Sequence, residues 1–315
     1  MSSMATEIPG LVSVILPTYN RQRTLYRAIS SVLTQSYADL ELIVVDDAST
    51  DETPAVLARF SDPRLRHVRL ERNGGAAHAR NHGLGLVRGE FVAFQDSDDE
   101  WLAEKLAKQV AAARGLASPM ATVFHTKILY GRDENARYGP HRVCCTPDMA
   151  SAPSAEDLKR LVHRGNIIST QTLLFSRAVL EKVGRFDELL IGVEDWDFAI
   201  KLIHNTDVAF IDEPLVMAHL QGDSTSTLRR SGSRSELRIM QKLRRARTIE
   251  PAVLGDHLAR IGWGVSKLGY PRMARRLLHR SIGLSPGNWR NWARLAVNEG
   301  KIFSPVRPRV APLGR

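Results

Sequence analysis

The chain has 315 residues, of which 43% are hydrophobic and 25% are charged, and these fractions exclude a disordered chain and a fibrous repeat. The length fits one large α/β domain with an appendage. The formal net charge is +10, from 44 basic and 34 acidic residues, and this total alone does not distinguish nucleic acid from membrane lipid as a partner.

Apolar segments rich in β-branched or aromatic residues alternate with helix-like segments in the first third of the chain. The predicted strands are 12–16, 42–45, 68–70 and 91–94. The predicted helices between them are 23–34, 53–60 and 76–87. This alternation predicts βαβ units, and therefore an α/β fold with a Rossmann-like, mainly parallel sheet and helices on both faces.

Polar loops follow three of these strands, with the sequences PTYN at 17–20, DDASTD at 46–51 and DSDD at 96–99. Ligands bind at the carboxyl ends of the strands in such sheets, so we expect the three loops to face one crevice. Further on, the pattern predicts helices at 101–116 and 194–204, strands at 172–175 and 209–217, and an excursion over the crevice at 131–153.

The DSDD loop places Asp96, Asp98 and Asp99 directly after a predicted buried strand. Crowded carboxylates repel one another, so a cation is expected beside them. A site with few protein oxygen ligands suits Mg²⁺ or Mn²⁺ shared with substrate phosphates. The alternative is a solvated loop that caps the following helix.

The second and third polar segments suggest nucleotide binding. Asp46 or Asp47 can accept a hydrogen bond from a ribose hydroxyl or a base, although residues 49–51 can equally cap a helix. Asn73 and Gly74 open a predicted helix whose N-terminus can accept an anion, with a plain turn as the alternative. Arg80, one turn into that helix, can reach a diphosphate or remain a solvated charge.

Two candidates come from the second half of the chain. Glu194 and Asp195 open a predicted helix, where acidic residues are expected from the helix dipole alone. Transfer to a hydroxyl requires a general base, and this pair is the best candidate for it. His219 ends the last predicted strand, and its imidazole can ligate a metal or contact a phosphate, or be purely structural.

Charge is distributed very unevenly along the chain. Residues 1–224 hold 24 basic and 30 acidic residues, a net charge of −6, and residues 225–315 hold 20 and 4, a net charge of +16. We predict a catalytic domain at 1–224, a Ser/Arg-rich linker at 223–235 and a basic helical C-terminal extension at 225–315. The Arg-rich segment around Ile239, Leu243 and Ala246 suggests peripheral contact with an anionic membrane, unless it is solvated or folded onto the acidic domain.

The two cysteines, Cys144 and Cys145, are adjacent and too few for a disulfide framework. The N-terminus lacks the pattern of a signal peptide, and no apolar stretch is long enough to span a bilayer. We therefore expect a cytoplasmic protein, in the peripheral case one at the inner face of the membrane.

Five segments resemble glycosyltransferase family 2 in order and in spacing. They are VSVILPTYNR at 12–21, LIVVDDASTDET at 42–53, NGGAAHARNHGL at 73–84, FVAFQDSDDEW at 91–101 and GVEDWDFAIKL at 192–202. The resemblance covers roughly residues 11–224 and leaves out the basic tail.

The resemblance implies a GT-A fold and an inverting glycosyltransferase of the hexosyltransferase type. Its donor is a nucleotide-sugar, usually a UDP-sugar, and its acceptor is a hydroxyl on a glycan or a lipid-linked precursor, as in polysaccharide and cell-envelope biosynthesis. A divalent metal, Mn²⁺ or Mg²⁺, assists the departure of the nucleoside diphosphate.

The resemblance also implies residue roles. Asp98 or Asp99 of the DxD motif lies at the metal, and His219 lies near the diphosphate or the metal. Asp195, with Glu194 beside it, corresponds to the catalytic base. Donor binding is assigned to Pro17, Tyr19, Asn20, Asp46, Asp47, Asn73, Gly74, Arg80 and Asp96.

Two other functions remain open from the sequence. A sugar nucleotidyltransferase shares an α/β core and a metal, but it needs a Gly-rich basic loop after the first strand, where this chain has PTYN. A non-catalytic nucleotide-sugar-binding or scaffold protein would not need Asp98 and Asp195. Nucleic acid is not expected as a partner, because the main domain is acidic and no nucleic-acid motif is recognised.

Overall fold

The computed structural model of the chain describes residues 6–131, 144–146, 154–220 and 229–303. The chain divides into two compact units, the first formed by 1–188 with 194–227 and the second by 189–193 with 228–315. This division lies beside the predicted boundary at 224, and the separate functions of the two parts stay a prediction.

The first unit is built on one mixed sheet. Its strands are β1 Ile8–Thr18, β2 Leu40–Asp46, β3 Leu65–Arg69, β4 Gly89–Phe94, β5 Glu100–Trp101, β6 Ala121–Gly131, β7 Cys144–Thr146, β8 Leu174–Ser176 and β9 Asp207–Leu220. The strand order is β3-β2-β1-β4-β8-β6-β9-β5, and β7 pairs with β6. The first four strands run parallel, as predicted, whereas β5, β7 and β8 form antiparallel pairs.

Helices flank this sheet in the α/β arrangement that the sequence predicts. They are α1 Leu25–Leu33, α2 Thr53–Leu57, α3 Ala76–Leu84, α4 Lys105–Arg114, α5 Ala155–Arg164, α6 Val179–Val183 and α7 Glu194–Asn205, with a short 3-10 turn at Thr170–Thr172. In α1, Leu25, Ala28, Ile29 and Val32 are fully buried at helical spacing, because this one stripe faces the apolar strands of the sheet.

Several predicted elements differ from those observed. The predicted strand at 68–70 is observed as β3 at Leu65–Arg69. The predicted helix at 101–116 begins only at Lys105, because Glu100 and Trp101 pair with β9 as a strand. The predicted strand at 172–175 begins at Leu174, after the 3-10 turn. Within the expected excursion at 131–153, the structure describes β7, and the rest lies outside the described residues.

The second unit is helical, with α8 Arg229–Arg245, α9 Pro251–Lys267, α10 Pro271–Leu284 and α11 Trp289–Phe303. Its core includes Ala259, Leu278 and Leu295 from three different helices. A Cβ on Gly262 of α9 would lie 3.2 Å from carbons of Leu277 and Leu278, so this glycine lets α9 and α10 approach closely.

The predicted linker at 223–235 is wrong for its second part. Residues 229–235 begin α8, and Ser235 Oγ accepts a 3.0 Å hydrogen bond from the backbone N–H of Ile191, which belongs to the same unit. Residues 223–228 lie outside the described residues. The sequence predicts that the apolar side of α8 is available for membrane contact, but Ile239 and Leu243 are 0% and 7% exposed and are therefore buried in the protein. Among the described helices, none combines the length and hydrophobicity that a bilayer crossing needs.

Candidate active site

The candidate site lies where β1, β2 and β4 end, at the carboxyl edge of the parallel part of the sheet. Registers Thr18↔Asp46 and Ile15↔Phe94 bring the three following loops to this edge, as predicted. Pro17 fits inside β1 because the pairing with β4 has ended at Ile15, so its missing N–H is not needed there.

The loops after β1 and β2 are joined by hydrogen bonds around Asp46. Asp46 Oδ1 accepts the N–H of Ser49 at 2.9 Å, and Arg69 Nη1 lies 3.5 Å from its Oδ2. Asn20, in the left-handed region at φ +52°, donates its N–H to Ser49 Oγ and accepts the N–H of Thr50 through Oδ1 at 2.8 Å. The predicted donor residues Asn20 and Asp46 therefore shape this edge of the crevice.

Asp47 occupies the helix N-terminus that the sequence suggests as an anion site. Its carboxylate accepts the N–H of Gly74 at 2.9 Å and of Gly75 at 2.7 Å, just before α3. The amides expected to assist a diphosphate therefore already bind a carboxylate of the chain itself. Tyr19, at 43% exposure, and Asn73 are predicted donor residues whose side chains are exposed.

Arg80 is the central cation of the site. This side chain is 7% exposed, and its Nη2 lies 2.8 Å from Asp96 Oδ1 while its Nη1 lies 3.2 Å from Glu194 Oε1. Burial alone would lower the pKa of Arg80, but the carboxylates of Asp96 and Glu194 outweigh it and raise that pKa. One guanidinium thus joins the DSDD loop to the first turn of α7.

The other two carboxylates of the DSDD loop lie in different environments. Asp98 is partly exposed, with Arg21 Nη2 3.6 Å from its Oδ2. Asp99 is 4% exposed, and its two oxygens accept hydrogen bonds from Gln171 Nε2 at 2.8 Å and from the N–H of His219 at 3.0 Å. Burial, together with Asp96 and Asp98, raises the pKa of Asp99 well above its usual value. Asp99 therefore has the surroundings of a structural carboxyl.

His219 lies at the end of β9, beside the DSDD loop. Burial lowers the pKa of its imidazole, and its Nε2 has no hydrogen-bond partner among the described residues, with Glu100 Oε2 3.8 Å away. A neutral ring with an unused Nε2 suits a metal ligand. Within the described residues, no three His, Cys, Asp or Glu side chains form a ready-made metal site. A divalent ion here would therefore complete its coordination with water or donor phosphate oxygens.

Asp195 sits in the first turn of α7, where Trp196 anchors the helix by donating Nε1–H to the Val162 carbonyl at 2.6 Å. Burial and then the neighbouring Glu194 raise the pKa of Asp195 to about 6. A hydrogen bond from Asn166 Nδ2 to Oδ2, at 2.8 Å, and the charge of Arg80 act in the opposite direction. Asp195 thus combines partial exposure with the pKa of a general base.

Sequence reasoning missed three partners of these carboxylates: Asn166, Gln171 and Arg21. Asn166 and Gln171 lie outside every motif, and their contacts with Asp195 and Asp99 span 29 and 72 residues. Arg21 is the last residue of the first motif, directly after PTYN. Its positive charge could have been predicted from the sequence to compensate a carboxylate of the DSDD loop.

Comparisons with known proteins decide the family. Residues 13–184 match the sequence profile described as glycosyl transferase family 2, which is more than half of the chain. The chain belongs to glycosyl transferase family 2. The expected membership of glycosyltransferase family 2 is thereby confirmed, and it replaces the nucleotidyltransferase alternative, although the fifth motif at 192–202 lies beyond the matched range.

One similar protein is the UDP-Glc:alpha-D-GlcNAc-diphosphoundecaprenol beta-1,3-glucosyltransferase WfgD of Escherichia coli, with 48% identity over 101 residues. The match covers 32% of this family 2 chain, and the chain spans 40% of the length of that relative.

Two solved structures share the fold. S. aureus TarS 1-349, in complex with UDP-GlcNAc, has a TM-score of 0.68 at 23% identity, covering 92% of this chain and 88% of that 1-349 chain. The mannosyltransferase PcManGT from Pyrobaculum calidifontis, in complex with GDP-Man and Mn²⁺, has a TM-score of 0.55 at 21% identity, covering 96% and 85%. The predicted GT-A type α/β fold is confirmed.

Replacing Arg80 by Leu tests its role as the central cation. The change leaves Asp96 and Glu194 with an uncompensated charge, so the free energy of unfolding should fall by about 3–5 kcal/mol. Adding Glu194→Gln to Arg80→Leu should recover part of this loss, whereas Arg160→Leu, at an exposed pair with Asp157, should cost less than about 1 kcal/mol. Urea denaturation measures all three variants. A double variant no more stable than Arg80→Leu would contradict the role.

Proposed function

We propose that this chain is an inverting glycosyltransferase that moves a sugar from a UDP-sugar to a hydroxyl of a glycan or lipid-linked acceptor. The observation that carries the proposal is the Asp195 carboxyl, with its pKa raised to about 6, on the helix that Arg80 ties to the DSDD loop. Family membership supports the proposal, as do the UDP-GlcNAc complex of TarS and the diphosphoundecaprenol acceptor in the name of WfgD.

The proposed reaction is a single displacement. Asp195 Oδ takes the proton of the acceptor hydroxyl while the hydroxyl oxygen forms a bond to the sugar C1. The bond between C1 and the diphosphate oxygen breaks on the opposite side, so the configuration at C1 inverts. The electron pair leaves with the nucleoside diphosphate, and no covalent intermediate on the chain is required.

The chain's own residues bind and orient the donor in this proposal. Tyr19 and Asn73 meet the nucleotide, because their side chains are open to solvent. Asp46 and Asp47 shape the pocket, since both carboxylates already accept backbone N–H groups. Arg80 holds Asp96 and Glu194 in place rather than the diphosphate.

Metal binding is assigned in this proposal to Asp98 and His219. Asp98 is partly exposed and His219 has an unused Nε2, whereas both oxygens of Asp99 accept hydrogen bonds from the chain. A bound Mn²⁺ or Mg²⁺ would neutralise the charge that develops on the leaving diphosphate. The Mn²⁺ in the PcManGT complex supports this choice of cofactor.

We also propose that the protein works in the cytoplasm as a peripheral protein at the inner face of the membrane. The net charge of +16 on residues 225–315 favours contact with anionic lipid. Because Ile239 and Leu243 are buried, α8 does not offer them to the bilayer, and the contact rests on basic and aromatic residues elsewhere in the second unit.

Replacing Asp195 by Asn tests the base directly. The amide keeps the shape but does not take a proton, so transfer, or donor hydrolysis with water as acceptor, should fall by about 10²–10⁴-fold. UDP-sugar binding measured by calorimetry should remain. The control Asp197→Asn, which removes an ion pair to Lys201 on the same helix, should keep most of the activity. Unchanged turnover in Asp195→Asn would move the base role to Glu194 or another residue, and no turnover in the unaltered protein would favour a binding or scaffold protein.

The pH dependence follows from the raised pKa of Asp195. The base is active when deprotonated, so kcat/KM should be level above about pH 6 and fall about tenfold per pH unit below it. Asn166→Ala removes a hydrogen bond that lowers this pKa, so the acidic limb should move to higher pH. Initial rates across a constant-ionic-strength buffer series give both profiles. A limb that stays in place in Asn166→Ala would argue against Asp195 as the titrating group.

Metal dependence is tested at Asp98. Excess EDTA should abolish turnover and Mn²⁺ should restore it, and Asp98→Asn should lower turnover by orders of magnitude because a charged metal ligand is lost. The thermal shift that UDP with Mn²⁺ gives the unaltered protein should be absent in Asp98→Asn and present in Asp212→Asn, an exposed carboxylate elsewhere. Full activity in excess EDTA would overturn the metal assignment.

A further inference from the structure

The second unit contains a cavity with an apolar floor. It has a volume of about 280 Å³ and opens among α8, α9 and α10. Met240, Leu254 and Leu258, which are 1%, 5% and 3% exposed, line it together with the partly buried Leu237 and Leu277. Such a floor favours a hydrocarbon group over water.

Three arginines line the same cavity: Arg244 and Arg245 on α8, and Arg280 on α10. All three are exposed, and within the part of the chain that the structure describes their side chains form no hydrogen bond or ion pair. No acidic residue among those described lines the cavity. Three acidic side chains of the unit are engaged elsewhere, Glu236 by His257 and Arg260, Asp256 by Asn288, and Glu299 by Arg275. The cavity therefore has an excess of positive charge.

This combination selects the chemistry of the ligand. Guanidinium groups bind phosphate through paired hydrogen bonds, which makes arginine the preferred residue for this anion. A purely polar anion such as inorganic phosphate leaves the apolar floor uncovered, and a neutral lipid leaves the arginines uncompensated. A phosphate carried on a hydrocarbon chain satisfies both parts.

Further features of the unit indicate where this phosphate comes from. Tyr270, Trp289 and Trp292 are 64%, 70% and 52% exposed, and Tyr and Trp are the residue types enriched at the water interface of bilayers. Residues 225–315 carry a net charge of +16, which complements an anionic bilayer. These features favour a lipid that is part of the membrane.

We infer that this cavity binds one anionic membrane phospholipid, with the phosphate at Arg244, Arg245 and Arg280 and the start of an acyl chain on the leucine and methionine floor. The inference rests on the membrane contact proposed above and adds to it a specific lipid site. The volume of the cavity fits a phosphate and the first part of a chain rather than a whole lipid.

Calorimetry on the full chain tests the site with soluble lipids below their micelle concentrations. Dihexanoyl phosphatidylglycerol should bind, and glycerol phosphate and dihexanoyl phosphatidylcholine should bind more weakly, because one lacks the chains and the other carries a compensating positive charge. The variant Arg244→Gln with Arg280→Gln should lose at least about tenfold in affinity. The matched control Arg272→Gln with Arg276→Gln removes the same charge from exposed positions outside the cavity and should keep its affinity.

Several outcomes would overturn the site. They are no binding of dihexanoyl phosphatidylglycerol, equal losses in the two paired variants, or equally tight binding of glycerol phosphate. Tighter binding of farnesyl phosphate than of phosphatidylglycerol would assign the cavity to an isoprenoid phosphate instead. Sedimentation with phosphatidylglycerol vesicles separates the two proposals, because vesicle binding without binding of the soluble lipid leaves membrane contact standing and removes the specific site.

Discussion

The candidate active site depends on one buried arginine among carboxylates. Arg80 contacts Asp96 on the loop after β4 and Glu194 at the start of α7, which are 16 and 114 residues away along the chain. Without a cation at this position, two acidic segments would be brought together against their mutual repulsion. The guanidinium thus makes it possible for the DSDD loop and the first turn of α7 to share one crevice.

The same crevice must accept an anionic donor in the proposed reaction. Asp98 and Asp99 add further acidic groups, and a nucleoside diphosphate brings more negative charge. The nearby Arg21, 3.6 Å from Asp98, and Arg27, which donates to the Asp98 carbonyl, offer only partial compensation. A divalent ion held by a few protein ligands and the diphosphate would offset this accumulation of negative charge. The carboxylates and the diphosphate would then act as ligands of the ion instead of only repelling one another.

The sequence predicts the buried strands β1, β2 and β4 of the parallel half well because each is a local apolar pattern, whereas β3, with the sequence LRHVR, is only partly covered by the prediction at 68–70. The segment 42–45 lies within β2, where all seven residues are buried. The antiparallel strands could not be predicted from local patterns in the same way. Glu100 and Trp101, for example, form a strand only because they pair with Met217 and Val216. Their neighbours in sequence are typical of a helix start, and the partner strand lies more than a hundred residues away.

For the candidate site residues too, the sequence predicts where a residue lies but not which partner it contacts. Motifs locate Asp47 and Gly74 in the crevice but do not reveal that the carboxylate binds the glycine N–H groups, which removes an expected anion site. In the same way, the helical spacing of Ile239 and Leu243 predicts an apolar face but not whether that face meets lipid or the core of its own unit. A pattern fixes which residues share a face, and only tertiary packing decides what covers that face.

The two acidic residues at the start of α7, Glu194 and Asp195, lie in different environments. Glu194 contacts Arg80, so its negative charge is held in place beside Asp195. That charge, after burial, is the second cause that raises the pKa of Asp195 to about 6. A carboxylate of ordinary pKa would be a weaker base, and one with a pKa well above 7 would be protonated at neutral pH. In the proposed reaction, Glu194 would therefore strengthen the base through its charge alone, and Arg80, which acts on the pKa of Asp195 in the opposite direction, would limit that increase.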